Sequence, residues 1–317
     1  MLASGQYTGA SSRYRGLCNR IDYEKRGWER SRRSGGTGEI RRMPLDAIAL
    51  VLIAALIHAG WNRLLHQSGD REAVMALSGW LTGIVMVPLF FIWPPWQVWP
   101  LILLSGLAQA VYGILLSAAY QRGMLSVSYP IARGTAPLFV TLGGWLLLSQ
   151  TPGPGAIAGS ILLAIGLATI ARVGSRSNQG AAVLLAACTG LAIASYQIID
   201  AAAVRDVNPA GYLGPVFLVQ GILITVWMMK TRNYGFTKAT IPALFRGSYR
   251  PGALVAFGST AAYLLVVFAL QRADAGRVAT LREVSILIGV LISGQRPGRA
   301  TLIGAMFVVA GTLLAAF

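Results

Sequence analysis

Charge is scarce in this chain. Asp, Glu, Lys and Arg make up 12% of it, against about 25% in a soluble globular domain. Acids number 11 and histidines 2 in 317 residues, which leaves little from which to build catalytic or metal-binding sets. No P-loop, zinc-ligand spacing, catalytic triad or paired loop carboxylates occurs. Enzymatic activity, cofactors and metals are therefore not expected. The two cysteines, Cys18 in a polar tail and Cys188 in an apolar run, form no CxxC and no Cys/His cluster. They make poor partners for a disulfide.

What charge there is runs strongly basic, at +16 net. Its distribution argues against nucleic acid. Residues 1–42 hold ten Lys+Arg beside four Asp+Glu, and most of the other basic residues fall in short loops. Loop cations between apolar runs are a topology signal, and no aromatic-interleaved basic face accompanies them.

The apolar content is the opposite extreme, 55% hydrophobic. It falls in blocks of the ~20 residues that a bilayer crossing needs. The expected class is an all-α polytopic membrane protein. Ten spans can be marked, near 45–64, 73–93, 98–119, 127–148, 154–172, 180–203, 210–229, 251–270, 277–293 and 299–317. "WPPWQVWP" (93–100) and "SQTPGPG" (149–155) separate neighbours by turn chemistry. Trp93, Trp96 and Trp99 suit a headgroup interface. Residues 1–42 lack an apolar stretch and read as a disordered basic tail, with Met43 the expected natural start.

The chain also repeats itself. "AAYQRGMLSVSYPIARGTAP" (118–137) parallels "FALQRADAGRVATLREVSI" (268–286), which aligns Arg133 with Arg282 at an offset of 149. "AGSILLAIG" (158–166) parallels "IGAMFVVAG" (303–311), aligning Gly159 and Gly166 with Gly304 and Gly311 at an offset of 145. The four-residue difference is about one helical turn, so the later helix keeps nearly the same face. The halves are 43–173 and 180–317, five spans each. An odd number of spans turns the second copy over in the membrane, the inverted-repeat plan that places substrate sites at the repeat interface.

Away from span edges, five ionisable side chains fall within spans: His58, Arg133, Asp200, Arg282 and Glu283. Such groups face a bundle interior or water and pair with one another. His58, Trp61 and Asn62 share a helix face, as do Tyr196 and Asp200, four apart. Arg282 and Glu283 are adjacent and point about 100° apart, so one is expected at a cavity and the other at a partner helix. Pro130 and Pro137 flank Arg133 and suggest local irregularity there. Cavity candidates are His58, Trp61, Asn62, Arg133, Tyr196 and Arg282. Candidates for ion coupling are Asp200, Glu283 and His58. The four repeat glycines are assigned to close helix packing.

"IHAGWN", "SVSYPIARGTAP", "SYQIIDAAAV" and "ATLREVSILIGVL", in that order over ten spans, resemble the EamA branch of the drug/metabolite transporter superfamily. The resemblance covers 43–317. It implies a ten-helix inverted-repeat carrier of small metabolites or drugs in a plasma membrane, here a bacterial inner membrane, with both termini cytoplasmic. Loop charges counted from Met43 favour the opposite orientation. Relatives commonly carry Gly-Glu after the fourth and ninth spans, where this chain has Ser149-Gln150 and Gly294-Gln295. The expected function is secondary transport of a small organic solute by alternating access, with the proton as the candidate coupling ion and the bilayer as the other partner. A lipid-intermediate flippase and a non-transporting membrane scaffold are the alternatives.

Overall fold

The computed structural model describes residues 43–122, 125–174, 180–235, 237, 240–286, 288 and 299–316. The tail 1–42, the Gly294-Gln295 pair and the end of the ninth expected span lie outside these residues. Among the described residues every regular element is helical. The elements are α1 (Leu45–Gln67), α2 (Arg71–Val85), α3 (Val87–Ile92), α4 (Trp99–Arg122), α5 (Leu125–Leu148), α6 (Pro154–Gly174), α7 (Gly180–Ala203), α8 (Pro209–Thr231), α9 (Thr240–Leu244), α10 (Tyr249–Leu270), α11 (Ala275–Arg282) and α12 (Arg299–Ala316).

Among the described residues six apolar stretches are long enough to cross a membrane: 45–67, 96–122, 131–148, 183–203, 209–231 and 249–270. Two shorter apolar helical stretches, Pro154–Thr169 and Leu302–Leu314, match the fifth and tenth expected spans. The second expected span is divided at Met86 into α2 and α3, with a proline in the first turn of α3. Proline has no N–H to continue the ladder, so the break falls there.

The bundle turns apolar side chains outward and buries a set of polar ones within its apolar core. Leu52, Ile53 and Leu56 of α1, Leu103, Leu104 and Leu107 of α4, and Phe257 of α10 are exposed. Patches of that extent belong against lipid. His58, Gln109, Gln197, Asp200 and Gln220 are buried instead. Trp93, Trp96 and Trp99 are exposed around the α3–α4 connection, which suits an interfacial belt.

Pairing between helices follows a simple scheme. α1 packs on α10, α4 on α7, α2 on α8 and α6 on α12, while α4 touches α8 and α2 touches α10. Two of these pairs cross on glycine. A Cβ at Gly166 would lie 2.6 Å from the Gly304 carbonyl oxygen, and one at Gly311 would lie 2.5 Å from that of Gly159. The contacts run in opposite sequence directions, so α6 and α12 are antiparallel, with backbone against backbone as small residues allow. Gly79 and Gly221 bring α2 and α8 together in the same way: a Cβ on Gly79 would meet the Gly221 Cα at 2.8 Å. The four repeat glycines thus act in packing, as expected.

One end of the α2–α8 pair carries an ionic clamp. Arg232, the residue capping the C-terminus of α8, reaches Asp70 at 2.5 and 2.9 Å and Glu72 at 3.0 Å. Asp70 also caps α2, accepting from the Ala73 N–H at 3.0 Å. Partial burial pushes the Asp70 carboxyl up. The Arg232 guanidinium and the Ala73 N–H outweigh this and hold it below the ordinary aspartate value.

Candidate functional site

α5 carries Arg133 as an uninterrupted helix, although Pro137 leaves the Arg133 carbonyl without its usual i+4 donor. The irregularity expected beside Arg133 is therefore absent there. It occurs at the position that the sequence repeat aligns with Arg133, where α11 ends at Arg282 and Glu283 leaves the regular ladder. The Glu283 N–H reaches Thr280 and the Ile286 N–H reaches Glu283, both three residues back, which marks a tightened turn.

That turn sends the adjacent charges to different places, as the 100° argument anticipated. The Glu283 carboxylate turns to α5, where its Oε2 lies 3.0 Å from Arg133 Nε, with both side chains at 3% exposure or less. Arg133 Nη2 also donates to Ser285 Oγ at 3.3 Å. Arg133 is therefore one half of a buried ion pair. Arg282 points the other way, into a cavity.

The cavity lies between helices of both halves and is small, ≈ 30 Å³, room for a water or two. Its polar lining is His58, Ser78, Gln109, Gln220, Ser259 and Arg282. Its aromatic lining is Trp61, Tyr112, Tyr196, Phe217 and Tyr263. The rings stack edge-on in series, with Tyr112 to Tyr196 at 5.7 Å, Tyr196 to Tyr263 at 5.6 Å and Phe217 to Tyr263 at 6.2 Å between centroids. Such pairs hold each other's orientation and leave few rotamers free.

His58, Trp61 and Asn62 occupy one face of α1, as their spacing required. The His58 and Trp61 rings meet edge-on at 4.7 Å. Arg282 Nη2 lies 3.4 Å from His58 Nδ1. A guanidinium only donates, so Nδ1 accepts and the imidazole proton resides on Nε2. Asn62 Nδ2 is placed 2.9 Å from Nε2 and Oδ1 3.5 Å from Tyr120 Oη; exchanging the two amide ends, which have the same shape, lets the oxygen accept the Nε2 proton and the nitrogen donate to Tyr120 Oη. The chain Arg282–His58–Asn62–Tyr120 then has one consistent direction.

Asp200 forms a second polar centre, fully buried. Ser105 and Tyr212 each donate to its Oδ1 at 2.5 Å. Tyr263 donates to its Oδ2. These donors come from α4, α8 and α10, so one carboxylate ties four helices together. Tyr196, placed beside Asp200 by the i, i+4 spacing, instead packs its ring between Tyr112 and Tyr263. Tyr263 joins the two centres, since its hydroxyl binds Asp200 while its ring lies 5.5 Å from Arg282 Cζ.

Ser105, Gln109, Tyr212, Gln220 and Tyr263 were not among the sequence candidates. Gln109 and Gln220 carried a usable signal, because an uncharged amide inside a twenty-residue apolar run also needs a buried partner. The hydroxyls carried none, since Ser and Tyr occur throughout such helices. Gln150 is a further site-supporting residue: its Oε1 accepts the Ala275 N–H at 3.1 Å and so caps α11, which delivers Arg282.

Comparison with known proteins adds the following. The sequence model of the EamA-like transporter family matches residues 180–317, the stretch that holds Asp200, Arg282 and Glu283. No curated protein matches the chain. A solved structure titled only "Crystal structure of protein" superposes with a TM-score of 0.62, covering 86% of this chain and 98% of that one. At 16% identity it speaks for the fold alone. With six helices among the described residues apolar and long enough to cross a membrane, and the match of a transporter-family model to residues 180–317, the chain is a multi-pass integral membrane protein.

Proposed function

We propose that this protein is a secondary transporter that moves a small organic solute by alternating access. On this reading it has ten spans in two inverted repeats, 43–173 and 180–317. The helix pairing supports that plan. Exchanging each helix for its counterpart converts the α1–α10 contact into α7–α4, and α2–α10 into α8–α4. It leaves the α2–α8 and α6–α12 pairs in place, and both are antiparallel. A two-fold axis in the membrane plane requires this of helices that face their own counterparts.

The observation that carries the reading is the cavity. A bundle that turns apolar residues outward encloses a pocket lined by His58, Gln109, Gln220, Arg282 and a row of aromatic rings, drawn from seven helices of both halves. A scaffold held by internal charges would pair them all, and Arg133 with Glu283 fits that description. Arg282 does not. At ≈ 30 Å³ the pocket is smaller than an organic solute, so loading requires the halves to rock and widen it to one side or the other.

Asp200 is the better coupling residue of the two acids. Its partners are hydroxyls, which can accept as well as donate, so it can gain a proton without stranding them. Glu283 faces a guanidinium, which cannot accept, and a proton there would leave Arg133 without its counter-ion. The test is solute flux in proteoliposomes with an imposed proton gradient. Flux driven by the gradient in the wild type, reduced to gradient-insensitive exchange by Asp200→Asn, is the expected result. Absence of any protein-dependent flux or counterflow across a broad metabolite mixture would overturn the proposal.

A further inference from the structure

We infer that the cavity recognises its solute through an organic carboxylate bound by Arg282, with the solute's apolar body against the aromatic wall. The inference rests on the transporter reading and adds the substrate class to it.

Among the described residues four charged side chains lie buried in the core at 3% exposure or less: Arg133, Asp200, Arg282 and Glu283. Three of them have close polar partners within the protein. Glu283 and Arg133 form an ion pair, and Asp200 is held by three hydroxyl donors. Arg282 is different. Its direct contacts are one long hydrogen bond to an imidazole nitrogen, 3.4 Å, and the face of Tyr263; the Asp200 and Glu283 carboxylates act on it only through space, with no direct ion pair. Its Nε and Nη1 have no hydrogen-bond partner among the described residues. They flank Nη2, so each of the two edges on which a guanidinium can grip a carboxylate retains an unmated donor. Burial of such donors is costly unless something arrives to accept from them.

The chemistry of the arriving group follows. A planar fork of N–H donors matches a carboxylate, two oxygens to two donors. One guanidinium balances one negative charge, which favours a monoanion over a phosphate dianion. Trp61, Tyr112, Tyr196 and Tyr263 line the same space and offer an apolar, aromatic surface for the rest of the molecule. His58 holds the guanidinium at Nη2 and, accepting there as a neutral ring, adds no competing charge.

The test uses the full-length protein in detergent micelles with three matched pairs: acetate and acetamide, benzoate and benzamide, 3-phenylpropanoate and its amide. Phenyl phosphate serves as the dianion arm. Benzoate and 3-phenylpropanoate are expected to raise the thermal unfolding midpoint saturably and to quench tryptophan fluorescence, while the amides and phenyl phosphate do neither. Arg282→Gln should weaken the response at least tenfold, whereas Arg272→Gln, exposed in the turn after α10, should leave it unchanged. A readout that needs no variant is labelling of Arg282 by phenylglyoxal, followed by peptide mass; benzoate should slow it and benzamide should not. An equal response to acids and amides, a stronger response to phenyl phosphate, or a benzoate response that survives Arg282→Gln would overturn the inference. The two readings fail separately. Benzoate binding at Arg282 with no flux in vesicles would sink the transporter reading alone, and flux with no preference for carboxylates would sink this one alone.

Discussion

Removing Arg133 tests whether the buried pair is structural. Arg133→Met takes away the counter-ion of a Glu283 carboxylate that is 2% exposed and lies 3.0 Å from Arg133 Nε. Stranding one member of such a pair costs about 3–5 kcal/mol, whereas replacing both members with apolar side chains of similar volume is often neutral or stabilising. The prediction is therefore a cycle with strong coupling. Arg133→Met alone should lower stability by ~3–5 kcal/mol, and Glu283→Met alone should do similar damage by stranding the guanidinium. The double variant should lie within about 1 kcal/mol of the wild type, a coupling of several kcal/mol, far outside the ~0.3–0.5 kcal/mol expected of independent sites. Unfolding in mixed micelles of a mild and a denaturing detergent, with folded yield measured alongside, reads all four corners. Additive single effects would refute the claim that these two side chains hold each other, and with it the division of labour between Arg133 and Arg282.

Three further outcomes follow from the packing and the caps. Gly166→Val places a side chain where the Gly304 carbonyl stands 2.6 Å from a Cβ, so it should sharply reduce folded yield on size-exclusion chromatography; Gly60→Val, with nothing within 4 Å, should not. Gln150→Ala should cost roughly 0.5–2 kcal/mol as a lost cap, while Gln150→Glu should be neutral or better by about 0.3–1 kcal/mol, because a carboxylate complements the α11 N-terminus; thermal midpoints in detergent decide between these. The Asp70 carboxyl is held below its ordinary value when folded, so its contribution is fully present above the unfolded value. It fades as pH falls through the folded value, and the acid limb of the stability profile should move upward in Arg232→Ala. An unchanged acid limb would show that the clamp does not tie Asp70.

The sequence by itself decided the solvent and the scaffold. Long apolar runs and sparse charge admit only a membrane-embedded helical chain, because a backbone in hydrocarbon must satisfy its own hydrogen bonds. Periodicity along single helices also brought out the polar face of His58, Trp61 and Asn62, and the repeat picked out Arg133, Arg282 and the crossing glycines. What it could not decide was which charge meets which. Arg133 and Glu283 are 150 residues apart, and their pairing depends on how α5 lies against the turn after α11. Likewise Asp200 owes its surroundings to Ser105, Tyr212 and Tyr263 on three other helices. Local spacing had offered it Tyr196, whose ring the tertiary packing drew into the aromatic row. Helical periodicity fixes the face on which a side chain stands. Only the assembled bundle fixes what stands opposite, and in a low-dielectric interior that opposite group decides whether a charge holds the fold together or waits for a solute.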